Sequence, residues 1–199
     1  MNKILVFAAA LTAIYIGIFF VPGRVEKLSL SPEKVFEVWR FITYPFTHLN
    51  SRHLIENIIG LGIVAFIARE LKIIFSDFSS AYLSSGFLSV LPVWVIMSFT
   101  ALGASNAIFG GFGLITQNVR KFKIKPWYII ILLAFVIFTG SITSYFFYGS
   151  RSKEFILAAR QSLAHFSGLM FGIGSFFFLS RIKPLITKRK RHVLRRLSE

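Results

Sequence analysis

Apolar residues in this chain come in long runs divided by short polar breaks, most of them basic. The first run covers residues 4–21, with Lys3 before it and Pro22-Gly23-Arg24 after it. Its length approaches the roughly 20 residues a membrane-spanning helix needs. A cleavable signal peptide is the rival reading, since Ala8-Ala9-Ala10 are small. The run is long for a signal's apolar region and has no small-x-small site at its end, so a retained span is expected. Residues 24–52 are mixed. They hold Trp39-Arg40 and the aromatics Phe36, Phe41, Tyr44 and Phe46. The segment is too polar to span and too apolar to float free, which fits an interfacial or re-entrant segment.

Five more spans are expected. One covers 54–68 and stops at Arg69-Glu70, and one covers 81–100 with Pro92 inside it. A short fourth runs from Ser105 to just before Arg120, in a stretch rich in Gly103, Gly110, Gly111 and Gly113. The fifth follows Lys125-Pro126, proline being favoured at a helix start, and reaches Tyr148. The sixth covers 155–179, and a basic tail follows. The pattern predicts an all-α, six-transmembrane-helix membrane domain over residues 1–180 and a tail over 181–199.

Composition narrows the class. Of 199 residues, 55% are hydrophobic and 24 are Phe. A single soluble core of this length has no use for so much apolar surface. A soluble enzyme and a disordered basic protein are excluded, and no room is left for a separate soluble domain. Cysteine is absent, which removes disulfides, Cys–zinc sites and cysteine catalysis.

The net charge of +15 suggests nucleic acid only until it is divided by loop. Of the Lys and Arg residues, 15 fall on the side of both termini and 8 on the other. The positive-inside rule therefore predicts that both termini are cytoplasmic, and six spans is the even number this requires. Trp127 and Tyr128 at one end of the fifth span, and Tyr145 and Tyr148 at the other, read as interface anchors. The basic tail is expected to meet anionic lipids, with nucleic acid no partner. Without a cleavable transit-like segment, a prokaryotic cell membrane is the expected location.

Polar side chains at span depth are costly and must face protein or water. His53 and Asn57 are four apart and share a helix face. They suit either a helix–helix hydrogen bond or donation into a cavity. Ser105 opens the short fourth span, where a serine is commonly a cap. The helix-start N–H groups beside it can also receive an oxyanion. His165 adjoins Ala164, Gly168 and Gly172, a small-xxx-small stripe for close helix packing. It is either a hydrogen-bonded interior histidine or the base for a serine. His192 lies in the tail. A metal site would draw on His48, His53, His165 and Glu56. The His-Glu-x-x-His and paired-aspartate patterns of intramembrane metallo- and aspartyl proteases are missing, and no metal or organic cofactor is expected.

Taken in order, these residues resemble the rhomboid family of intramembrane serine proteases. The series is Trp39-Arg40-Phe41-Ile42-Thr43-Tyr44-Pro45-Phe46-Thr47-His48, then His53-x-x-x-Asn57, Gly103-x-Ser105, and Ala164-His165-x-x-Gly168-x-x-x-Gly172. Each motif is weak alone; the ordered set on six spans is specific, and it covers about residues 38–180. The resemblance implies a rhomboid-like bundle with a membrane-associated first loop and a short central fourth helix. It implies a serine endopeptidase acting on transmembrane proteins. Ser105 would be the nucleophile and His165 the general base, with His53, Asn57 and the Ser105 N–H binding the oxyanion. Gly103, Phe109 and Gly168 would support them. The fifth span, with Gly140 among phenylalanines, would move as a lateral gate.

Three positions depart from the family pattern. Asn106 follows the serine where the family usually has Gly, adding a side chain near the oxyanion region. Phe109 stands where some relatives have Tyr, and its ring can pack on His165. Glu56 would oppose an oxyanion unless protonated, turned to water, or paired with Arg40 or Arg52. Two other functions fit parts of the pattern. One is a catalytically inactive rhomboid-like protein that binds membrane proteins. The other is a small transporter or channel using His48, His53 and His165.

Overall fold

The structure is a computed structural model that describes residues 2–197, with side chains through residue 182. The tail side chains beyond Ile182, His192 among them, lie outside the described residues. The helices are α1 (Lys3–Phe19), α2 (Arg24–Leu28), α3 (Arg40–Thr43), α4 (Ser51–Glu70), α5 (Phe75–Leu88), α6 (Leu91–Met97), α7 (Ser105–Asn118), α8 (Pro126–Tyr148) and α9 (Lys153–Leu197). Four segments are long and apolar enough to cross a membrane: Ser51–Glu70, Phe75–Met97, Pro126–Tyr148 and Lys153–Ile182. The shorter α1 is also apolar. This is an all-α membrane protein.

The third apolar run departs from the expected 81–100 boundaries. It begins at Phe75 and divides into α5 and α6 at Ser89-Val90. Pro92 is the physical cause: it occupies the first turn of α6, where its missing N–H costs nothing, whereas inside one continuous helix it would remove a hydrogen bond and clash. Ser76, Asp77, Ser79 and Ser80 mask its start by diluting the apolar run. The first run ends at Phe19, not residue 21.

α7 has 14 residues and so rises about 21 Å, less than the roughly 30 Å of bilayer hydrocarbon. Packing compensates for length: α7 touches α4, α5, α8 and α9, and most of its residues are buried. Its glycines make that possible. A side chain at Gly172 would strike the Gly110 carbonyl, and one at Gly113 would strike the α9 main chain at Leu169. α8 lies at the bundle's edge. Only 11% of its most apolar window is buried, against 33–39% in the other three spans.

The segment between α1 and α4 contains α2, α3 and two 3₁₀ turns. Arg40 is its hub. The side chain is buried and donates to the Glu26 and Ser29 carbonyls, both at 2.8 Å, and to the Glu37 carboxylate. Phe36, Val38, Trp39 and Ile42 project outward, Phe36 with 94% of its surface exposed. A charge held inward by carbonyls with apolar side chains outward suits residence in the membrane interface.

Candidate active site

Ser105 is the first residue of α7, after Ala104, and no side chain caps this helix. The Ser105 hydroxyl is therefore not the cap that its position allowed. It lies 2.9 Å from His165 Nε2 on α9. Sixty residues separate the two in sequence, and the α7–α9 contact joins them. Gly168 makes the approach possible, since a Cβ there would stand 2.5 Å from the Asn106 carbonyl oxygen. Phe109, one turn along α7 from Ser105, stacks on the His165 ring at 4.7 Å and 26°. That contact fixes the plane of the imidazole.

Gly103 has φ +96°, a conformation that glycine adopts without steric cost. Its N–H donates to the Tyr44 carbonyl at 3.0 Å. A Cβ would lie 2.6 Å from His53 Cε1, so the missing side chain also makes room for the histidine. Just before Gly103, Ala101 pairs with Leu30 in a two-residue antiparallel bridge. The entry to α7 is thus tied to the first loop at two points.

His53 and Asn57 lie on α4, which begins at an Asn50 cap donating no proton itself but accepting from the His53 N–H at 2.9 Å. His53 lines the same cavity as Ser105 and His165. Asn57 does not line it. Its amide nitrogen donates to the His53 carbonyl at 2.7 Å, while its carbonyl oxygen is buried and unpartnered. To serve as an oxyanion donor Asn57 would have to turn from its own helix.

The departures from the family pattern have structural resolutions. Asn106 lines the cavity, and its side-chain amide is held there by donating to Ser89 Oγ at 3.2 Å. Ser89 sits in the α5–α6 break, and its carbonyl accepts from Ser167 Oγ on α9 at 2.6 Å. The break thus supplies polar partners that Asn106 and Ser167 use. Glu56 pairs with Arg52 at 2.8 Å, with both side chains exposed. Arg40 pairs with Glu37 instead.

The cavity has a volume of about 720 Å³ and runs from the 98–103 segment and the start of α4 to α9. That is large enough for a peptide segment, within the range of ligand pockets. Its wall carries Arg52, Glu56 and Arg160 beside the serine and histidines. Among the described residues, no three His, Cys, Asp or Glu side chains form a group suited to a metal ion.

His48 sits behind His53, their rings 5.3 Å apart, and makes an edge contact with Tyr15 of α1 at 5.2 Å. It lies in the loop before α4 and is fully buried. Burial, and then the neighbouring His53, push its pKa down to about 4. Residue-by-residue reading missed the Ser89 node and the hub role of Arg40. A clue to the first was the cluster of Ser84, Ser85 and Ser89 just ahead of Pro92. A clue to the second was an arginine flanked by aromatics in a segment too apolar to be a free loop.

A multi-pass, all-helical membrane bundle with a half-buried serine–histidine contact is the class that fold and site define. The Rhomboid domain model matches residues 35–182, and the chain belongs to the rhomboid family. It is accordingly a rhomboid intramembrane protease or an inactive relative of one. No curated protein matches the chain.

Proposed function

We propose that this protein is an intramembrane serine endopeptidase that cleaves transmembrane substrate proteins with a Ser105–His165 dyad. The 2.9 Å contact between Ser105 Oγ and His165 Nε2, on the wall of an open cavity, carries the reading. A hydroxyl beside an imidazole at hydrogen-bonding distance is the arrangement of an activated nucleophile. His165 Nε2 takes the hydroxyl proton as Ser105 Oγ attacks the scissile carbonyl. The tetrahedral oxyanion forms at the start of α7. There the Ser105 N–H and the His53 ring face it, and Asn57 joins them on turning. His165 then gives the proton to the leaving amine. Water entering the cavity is deprotonated in turn and releases the acyl group. Phe109 holds the base in place, and Gly103 and Gly168 give the close approaches the dyad needs.

The same reading places the protein in the cell membrane with six spans and both termini in the cytoplasm. Residues 1–180 form the membrane domain, and residues 181–199 a basic tail against anionic lipids. Peptide hydrolysis needs water, so the cavity opens to the non-cytoplasmic side. The test is cleavage of a reporter span by detergent-purified protein, together with labelling by a fluorophosphonate probe. Loss of both in Ser105→Ala and in His165→Ala is expected. Cleavage that survives Ser105→Ala would defeat the proposal. A wild-type protein that binds the reporter without cleaving it or taking up the probe would be an inactive relative.

A further inference from the structure

The cavity wall holds a cation that the dyad chemistry does not use. Arg160 stands on α9 with Leu157, Gln161, Ala164 and His165, all lining the cavity. Its Nε is buried with no hydrogen-bond partner, and it takes part in none of the ion pairs among the described residues. The other charged groups on the wall, Arg52 and Glu56, neutralise one another. The cavity therefore keeps one uncompensated positive charge, on a guanidinium with donors to spare. Arg160 is half-buried, so its Nε is shut off from solvent while the rest of the fork faces the cavity, and a carboxylate is the partner that planar fork fits best.

Resting on the protease reading, we propose that Arg160 is a specificity residue that binds an acidic side chain of the substrate near the scissile bond. Arg160 precedes His165 by five residues, so it lies about 7.5 Å along the helix axis. An extended peptide rises about 3.3 Å per residue. The favoured Asp or Glu then sits about two residues from the cleaved bond, on the flank nearer the first turns of α9. A peptide-anchored carboxylate suits this place better than a lipid phosphate, because the arginine shares its wall with the dyad.

The experiment uses full-length protein in detergent and a set of reporter spans. A single Asp, Ala or Lys is moved through each position within three residues of the cleavage site. Wild type is expected to cleave the Asp reporter roughly tenfold faster than the Ala reporter at one or two adjacent positions. Arg160→Gln should bring the two within about twofold, and Arg160→Lys should keep part of the preference. Arg160→Glu should favour Lys at the same positions, a reversal that a merely structural role would not produce. Fluorophosphonate labelling of Ser105 in each variant reports whether the site has folded. A preference unchanged by Arg160→Gln would overturn the proposal, as would the absence of any charge preference in an active wild type. An Arg160-dependent response to added phosphatidylglycerol with the neutral reporter would also overturn it, assigning the cation to a lipid phosphate. Wild type that neither labels nor cleaves any reporter would instead sink the protease reading on which the proposal stands.

Discussion

At the scale of single residues, Gly103 shows how many constraints one position can carry. Its φ of +96°, its N–H bond to Tyr44 and the space it leaves for His53 all bear on the approach to Ser105. Gly103→Ala is expected to destabilise the protein by about 1–3 kcal/mol through backbone strain alone. It should also displace the His53 ring and reduce reporter cleavage by roughly a hundredfold, since oxyanion contacts are worth that much. Thermal unfolding by circular dichroism and the cleavage rate would check the two effects separately. A variant with wild-type cleavage would show that the His53 position does not matter. Ser105 was ambiguous as a residue, because cap and nucleophile look alike in sequence. The distinction came from what its hydroxyl meets.

Between elements, the governing contact is α7 against α9. The spacing of Ala164, Gly168 and Gly172 announced a packing face, but it did not say which helix would fill it. The partner is a second glycine-bearing face on α7, so the two main chains meet with almost nothing between them. Gly172→Ala would drive a methyl into the Gly110 carbonyl. It is expected to cost about 3 kcal/mol, the top of the usual range for overpacking. Gly174→Ala is the matched control two residues along the same helix, with nothing within 4 Å of its new Cβ. It should leave stability unchanged or raise it by up to about 1 kcal/mol, the helix-propensity gain of Ala over Gly. Equal midpoints for the two variants in thermal unfolding would refute this account of the interface. The α5–α6 break is legible only in part: Pro92 marks a disturbance, yet the use of Ser89 by α7 and α9 depends on where those helices lie.

For the whole molecule, the first loop is coupled to the bundle through His48, which touches Tyr15 on α1 and His53 on α4. With a folded pKa of about 4 against roughly 6.5 for a free histidine, the folded protein resists protonation there. Its stabilising contribution is complete above about pH 6.5 and is lost as pH falls toward 4. The loss reaches about 3 kcal/mol as an order of magnitude. The thermal midpoint of wild type should therefore fall across that window. His48→Phe keeps an aromatic ring in the same pocket and removes the titrating group, so it should flatten part of the slope. A slope unchanged by the substitution would place the acid sensitivity elsewhere.

The sequence by itself determined the class. Apolar run lengths, the absence of cysteine and the asymmetry of basic loops follow from the bilayer as solvent, which acts on each segment independently of its neighbours. The ordered motifs added the family and the identities of the candidate site residues. Tertiary structure decided what those residues touch. It set Ser105 against His165, turned Asn106 to Ser89, held Asn57 to its own helix, paired Glu56 with Arg52 and left the Arg160 Nε without a partner among the described residues. Each of these depends on the approach of segments distant in the chain, and a local pattern carries no information about which polar group will be waiting when two helices meet.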